Sequence, residues 1–242
     1  MTIPLRRLTL GRSALLDLFD QFDQIEEHDA FTLYLLPPIA ADVLDFVPEE
    51  IANAAASSLT GAALLWGPSA RLLVLPPFLL DATTRVSGYE TEPLRVLLQR
   101  PRTIGVILAR LGGYSVGLYR DGSFVLTKTG GRFVKNRHRK GGQSQRRFER
   151  IREGQIRNHF DDIDEVVRSR LLPEAASIDH IVLGGDRHTV QALLKRAPLP
   201  PALSAKLLPG VLDLPEPRLE ILERTPGLIW RSRVLLLRGP GE

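Results

Sequence analysis

The chain contains no cysteine. This excludes a disulfide scaffold, a thiolate zinc site and a cysteine nucleophile, and it fits a reducing compartment. The first ten residues include Arg6 and Arg7 but no apolar stretch long enough for a signal peptide. No run approaches the roughly 18 apolar residues of a membrane span. The expected location is therefore the cytoplasm. Internal repeats, low-complexity tracts and a GxGxxG or Walker phosphate loop are also missing. Carboxylates do crowd at Asp161, Asp162, Asp164 and Glu165. Helical spacing scatters them around an axis, so they read as a solvated face, and no metal or other cofactor is expected.

Net charge is scarce too, except in one place. The 242 residues sum to only +4. Between Arg132 and Arg157, ten Lys/Arg stand against Glu149 and Glu153, a local +8, so the rest of the chain is slightly acidic. A basic stretch on such a background is the electrostatic footprint of a polyanion partner. Its centre reads Arg137-His138-Arg139-Lys140-Gly141-Gly142-Gln143-Ser144-Gln145-Arg146-Arg147-Phe148.

Hydrophobic content of 43% and charged content of 25% suit a globular chain with ample core material. In order, the pattern predicts a helix capped by Ser13, a strand over 31–36 and a small helix over 48–59. Strands over 61–66 and 71–75 and a helix over 91–99 follow. Arg100-Pro101-Arg102 is a candidate boundary. It divides a smaller α/β region, 1–100, from a second domain, 101–242.

Beyond it, 103–110, 114–120 and 123–128 read as strands, with Asp121-Gly122 a strong hairpin signal. Gly130-Gly131 is expected to turn the chain and 133–138 to run extended. A long helix over 144–171 should carry Arg146, Arg150 and Arg157 on one face, with Phe148, Ile163 and Val166 packed opposite. A strand over 178–183, a helix capped by Asp186 and a Pro-broken helical segment over 198–207 come next. An edge strand over 210–214, a short helix over 216–224 and a last strand over 228–237 complete the pattern. The fold class is α/β, a mixed β-sheet flanked by helices. Trp66 and Trp230 read as core residues.

Gly141-Gly142-Gln143 followed by Ser144, with His138 before it and Arg147-Phe148 after it, resembles the catalytic loop of eukaryotic and archaeal class-I translation release factors. The match runs over roughly 133–152 and sits at a strand-to-helix junction. The alternation from 103 to 237 is similar to the middle domain of those factors. Their codon-reading Asn-Ile-Lys-Ser motif is absent, and the length is too short for all three of their domains. The chain thus resembles more closely the codon-independent, Vms-type peptidyl-tRNA hydrolases and their bacterial counterparts.

The resemblance implies a peptidyl-tRNA hydrolase that frees nascent chains from stalled ribosomes or large subunits. Its partners would be the large subunit, its rRNA and peptidyl-tRNA. Gly141, Gly142 and Gln143 would be catalytic. Some Vms-type loops read Gly-x-x-Gln, which residues 142–145 also satisfy, so Gln145 stays as the alternative glutamine. Arg137, His138, Arg139, Lys140, Arg146, Arg147 and Arg150 would meet RNA.

The residues themselves agree with this chemistry. Ester hydrolysis passes through a tetrahedral intermediate and needs donors at the developing charge and a positioned water. The neutral glutamine cannot be a strong base, so its backbone N–H is the natural donor and its side chain can orient water. The glycines allow close backbone approach to RNA. His138 can serve as a base or a phosphate contact. Without the flanks, the glycine pair would be a plain turn and Gln143 a surface residue. A non-catalytic ribosome-binding protein on the same scaffold is the competing reading.

Overall fold

The computed structural model describes residues 5–120, 122–134 and 143–239, with the backbone alone at 41 and 143–146. In chain order the elements begin with β1 (Arg6–Leu10), α1 (Arg12–Phe22), β2 (Phe31–Leu35) and α2 (Glu49–Ala56). β3 (Ala62–Trp66), β4 (Arg71–Leu75), β5 (Thr84–Ser87) and α3 (Glu92–Gln99) follow. Then come β6 (Ile104–Arg110), β7 (Gly113–Arg120), β8 (Ser123–Gly131), α4 (Gln143–Arg170), β9 (His180–Gly185) and α5 (Arg187–Arg196). The last are α6 (Pro201–Ser204), β10 (Leu212–Asp213), α7 (Leu219–Ile229) and β11 (Ser232–Arg238). The architecture is mixed α/β, with two sheets and their flanking helices.

The chain forms two compact units, 1–100 together with 227–242, and 101–226. This corrects the expected 101–242 domain. β11 pairs antiparallel with both β1 and β4, so the last strand completes the first sheet. That sheet has six strands in the order β1-β11-β4-β3-β2-β5, every pairing antiparallel. Among the described residues it has six strands, against five in the second sheet. β1 and β5 were not foreseen because they are short, exposed edge strands, where the apolar alternation that betrays a strand is weak. β3 and β4 sit inside the sheet, and their apolar runs are buried almost throughout. α2 packs Ile51, Ala52 and Ala55 on one face, against Leu64, Leu73 and Leu75.

The second sheet is ordered β10-β9-β6-β7-β8. β6 pairs parallel with β9 and antiparallel with β7, which makes the sheet mixed. Central β6 reads Ile-Gly-Val-Ile-Leu-Ala-Arg, and its first six residues are buried because both faces are covered. β8 is an edge strand with exposed residues along its length. Gly130 and Gly131 belong to β8, opposite Tyr114 and Gly113, rather than turning the chain. A Cβ at Gly130 would stand 2.4 Å from the Tyr114 hydroxyl, so only glycine lets that ring lie across the strand.

α5 begins at an N-cap in which Asp186 accepts from Thr189 N at 2.8 Å and Thr189 Oγ1 at 2.7 Å. α1, by contrast, starts at Arg12 with Gly11 as its N-cap and no side-chain cap, so Ser13 lies within the helix.

Candidate functional site

α4 is 28 residues long and divides into two parts. In its C-terminal half His159, Phe160, Ile163, Val167 and the following Leu171 are buried at 0 to 3% exposure. The apolar members of this stripe pack with Ile107, Tyr114 and Val116 of the sheet. Burying each of these large side chains contributes about 1.5–3 kcal/mol. In the N-terminal half none of residues 147–155 is buried. Phe148 is 45% exposed, which corrects its expected place against the sheet. The packed stripe begins only at Ile156, three to four turns into the helix, so Phe148 lies outside it.

Charge divides the helix in the same way. Residues 146–157 carry five arginines and two glutamates, while 158–170 carry four acids and two arginines. The first turn holds no acid. Cations near a helix N-terminus oppose the partial positive charge of the exposed N–H groups, a cost that an anion relieves.

The C-terminal half is pinned by specific contacts. Buried His159 donates through Nε2 to the carbonyl oxygen of Arg110 at 2.8 Å. Burial holds its pKa below the ordinary histidine value, so it stays neutral. The Tyr114 ring lies 6.0 Å from the His159 ring. Burial first, then the carboxylates of Asp162 and Glu165, raise the Tyr114 pKa. Arg132, one residue past β8, donates through Nε and Nη2 to the Asp162 carboxylate at 2.8 and 2.9 Å. That hydrogen-bonded pairing raises the Arg132 pKa further.

Three of the four acids first read as a solvated face are thus partners of arginines. Asp162 takes Arg132, Asp164 takes Arg168 at 2.8 Å, and Asp161 lies 3.4 Å from Arg196. Asp162, His159 and Tyr114 were missed as positioning residues. Position 159 borders the apolar stripe at 160, 163 and 167, about 40° from 163, whereas 162 lies about 100° from it, so only the first carried a signal in the sequence.

Among the sequence-predicted residues, Arg137, His138, Arg139, Lys140, Gly141 and Gly142 lie outside the described residues. Gln143, Gln145 and Arg146 occupy the start of α4, where the backbone alone is described. Arg147 and Arg150 are exposed on the helix. At 100° per residue, positions 143, 147 and 150 fall within about 60° of one another, and position 145 falls on nearly the opposite side. Gln143 stands about 28 Å along the axis from Asp162, at 1.5 Å per residue. The described residues thus give a basic helix end far beyond the packed sheet, preceded in sequence by Gly141-Gly142.

A profile of the Actinobacteria/chloroflexi VLRF1 release factor family matches residues 102–235, just over half of the chain. The chain belongs to that family. The matched span of this VLRF1 release factor domain includes Gly141-Gly142-Gln143 and the whole of α4. Peptide chain release factor subunit 1 of Archaeoglobus fulgidus is 29% identical over 128 residues, 53% of this chain and 31% of the relative. The same factor of Thermococcus sibiricus is 30% identical over 128 residues, 52% of this chain and 31% of its own length. The chain spans about a third of the length of each of these relatives. A crystal structure of archaeal translation termination factor aRF1 aligns over 88% of this chain and 68% of its own, with 18% identity and a TM-score of 0.42. Among the described residues, no helix is long and apolar enough to cross a membrane.

Proposed function

We propose that this release factor family member is a codon-independent peptidyl-tRNA hydrolase acting on ribosome-bound nascent chains. One observation carries the reading. Gly141-Gly142-Gln143 immediately precedes and opens a helix whose exposed N-terminal half is basic, within the span that matches a release factor family.

In this reading water attacks the carbonyl carbon of the ester that joins the peptide to the terminal ribose. The carbon–oxygen bond to the ribose then breaks, freeing peptide acid and tRNA hydroxyl. Negative charge develops on the carbonyl oxygen, where a backbone N–H donor is most effective. The backbone N–H of Gln143 is the donor assigned here, and its side chain holds the water. Gly141 and Gly142 allow the backbone to reach the ester without side-chain interference. Arg137, His138, Arg139, Lys140, Arg146, Arg147 and Arg150 neutralise rRNA and tRNA phosphates. The requirement is positioning rather than a titrating base, so no metal or cofactor is invoked. Action on the large subunit of stalled ribosomes, in the cytoplasm, completes the proposal.

The test is release of labelled peptide from purified ribosome–peptidyl-tRNA complexes, with and without a stop codon in the decoding site. Equal release from both, lost in Gln143→Ala, is the expected result. Ribosome binding without release would favour a non-catalytic ribosome-associated role.

A further inference from the structure

Across one end of the first sheet, the strand register places a row of arginines and aromatics side by side. Arg238 on β11 pairs with Arg71 on β4, Arg71 with Trp66 on β3, and Trp66 with Phe31 on β2. Cross-strand neighbours of this kind stand about 5 Å apart, so the four positions form a continuous line. Phe46, on the connection before α2, sits between the two strand aromatics. Its ring is 5.7 Å from Phe31 and 6.2 Å from Trp66, edge-on to both. Arg85 of edge strand β5 lays its guanidinium 4.3 Å from the centre of the Phe31 ring, and Arg71 lies 5.1 Å from that of Trp66.

These groups are open to solvent in the unit that carries them. Phe46 is 47% exposed and Arg85 is exposed, while Phe31, Trp66 and Arg71 are half-buried. Arg71 and Arg85 make no ion pair with any described carboxylate, although Asp42 and Asp45 lie on the same connection as Phe46. The row is also held in shape. Arg71 Nε donates to the Gly67 carbonyl at 3.0 Å, and Arg238 donates to that of Pro68 at 2.9 Å. Each guanidinium still has further N–H groups, because it carries five donors.

Aromatic faces interleaved with guanidiniums are the chemistry that binds unpaired nucleotides. Bases stack on rings or on guanidinium planes, and the same cations meet the phosphates. A duplex hides its base faces and cannot use such a ledge. An apolar protein partner would leave the two unpaired guanidiniums desolvated without a counter-charge, which is costly.

We propose that the ledge formed by Phe31, Phe46, Trp66, Arg71 and Arg85 is a binding surface for single-stranded RNA. It lies within the first unit and does not depend on the hydrolase reading of the second.

The probe is fluorescein-labelled oligouridylate of about ten nucleotides, within the span that stacking surfaces of this kind occupy. The protein is the full chain with Arg147→Gln and Arg150→Gln, which removes much of the competing charge on α4. Its anisotropy titration is compared with the same chain carrying Phe46→Ala and Arg85→Ala, with circular dichroism confirming the fold. Loss of roughly tenfold or more in affinity is expected, since stacking of one base is commonly worth that much. Phe46→Tyr, which keeps the ring, should bind as well as Phe46.

Binding should also quench tryptophan fluorescence at Trp66. The other tryptophan, Trp230, is 8% exposed and packs edge-on against Phe78 at 5.5 Å, so it should respond little. Unchanged affinity in the folded Phe46→Ala, Arg85→Ala chain overturns the proposal. Equal competition by polyglutamate or by duplex RNA overturns it too, because either shows charge alone at work. Peptide release by Gln143→Ala reports on the hydrolase reading separately.

Discussion

Arg132 and Asp162 join the end of β8 to the middle of α4 through two parallel hydrogen bonds of 2.8 and 2.9 Å. Both side chains are part-exposed, so the pair adds little to global stability. Its geometry instead fixes where the chain leaves the sheet. Asp162→Asn should therefore leave the melting temperature nearly unchanged while slowing peptide release, with calorimetry and a release assay run on the same sample. A matched loss of stability and activity would make the pair a plain structural contact.

Gln143→Ala should abolish release and keep ribosome association, because a neutral side chain at the ester takes no part in phosphate binding. Gln145→Ala should remain active. A pelleting assay beside the release assay separates the two effects. Release lost only in Gln145→Ala would assign the catalytic role to the second glutamine.

Arg147 and Arg150 are exposed on the basic half of α4. Replacing both with glutamine should flatten the dependence of ribosome affinity on salt by about one unit of log–log slope per charge removed. The fold should be unaffected, since neither side chain is buried. An unaltered slope would mean that this face does not meet RNA.

His180 is pushed down to about 4, first by burial and then by the Arg102 guanidinium. Arg102 Nη1 lies 3.1 Å from His180 Nε2 and donates to it, so that nitrogen must be unprotonated. The unfolded chain binds a proton near pH 6.5 that the folded chain refuses. The stabilisation is thus complete above about pH 6.5 and fades as pH falls toward 4, with His159 acting in the same direction. Urea denaturation at pH 7 and pH 5 should show lower stability at pH 5. The difference should shrink in His180→Gln.

Gly185 ends β9 with φ of +109°, and a Cβ there would stand 2.1 Å from the Ala109 carbonyl oxygen. Both the backbone conformation and the contact with neighbouring main chain forbid a side chain. Gly185→Ala should cost at least about 2 kcal/mol in denaturant unfolding, whereas Gly227→Ala, with open space around it, should cost less.

The elements legible in the sequence were those whose pattern is local. Asp121-Gly122 marked the β7–β8 hairpin, the apolar runs of β3, β4 and β6 marked interior strands, and Asp186 marked the start of α5. The Gly-Gly-Gln stretch stood out because its basic flanks accompany it. What the pattern could not supply was pairing between distant segments. β11 is apolar like any interior strand, and nothing in Ser-Arg-Val-Leu-Leu-Leu-Arg says that its partners are β1 and β4. Gly130-Gly131 carries the composition of a turn, but the Tyr114 ring across the strand keeps it paired. Phe148 has helical spacing but lies before the packed stripe begins, and only the position of the sheet decides that. Asp162 looks like any helix acid until Arg132 is brought to it.

The pairing of β11 with β1 and β4 also orders events during synthesis. The first sheet lacks an interior strand until residues 232–238 have been made, although all five of its other strands are among the first 87 residues. At about 5–20 residues per second, translating the intervening stretch takes roughly 7 to 30 seconds. Throughout that interval the facing edges of β1 and β4 have no partner, while residues 101–226 can already collapse around their own sheet. A nascent chain paused in that window would expose unpaired strands of the unit that carries the aromatic ledge. The unit translated first is therefore the last to become complete.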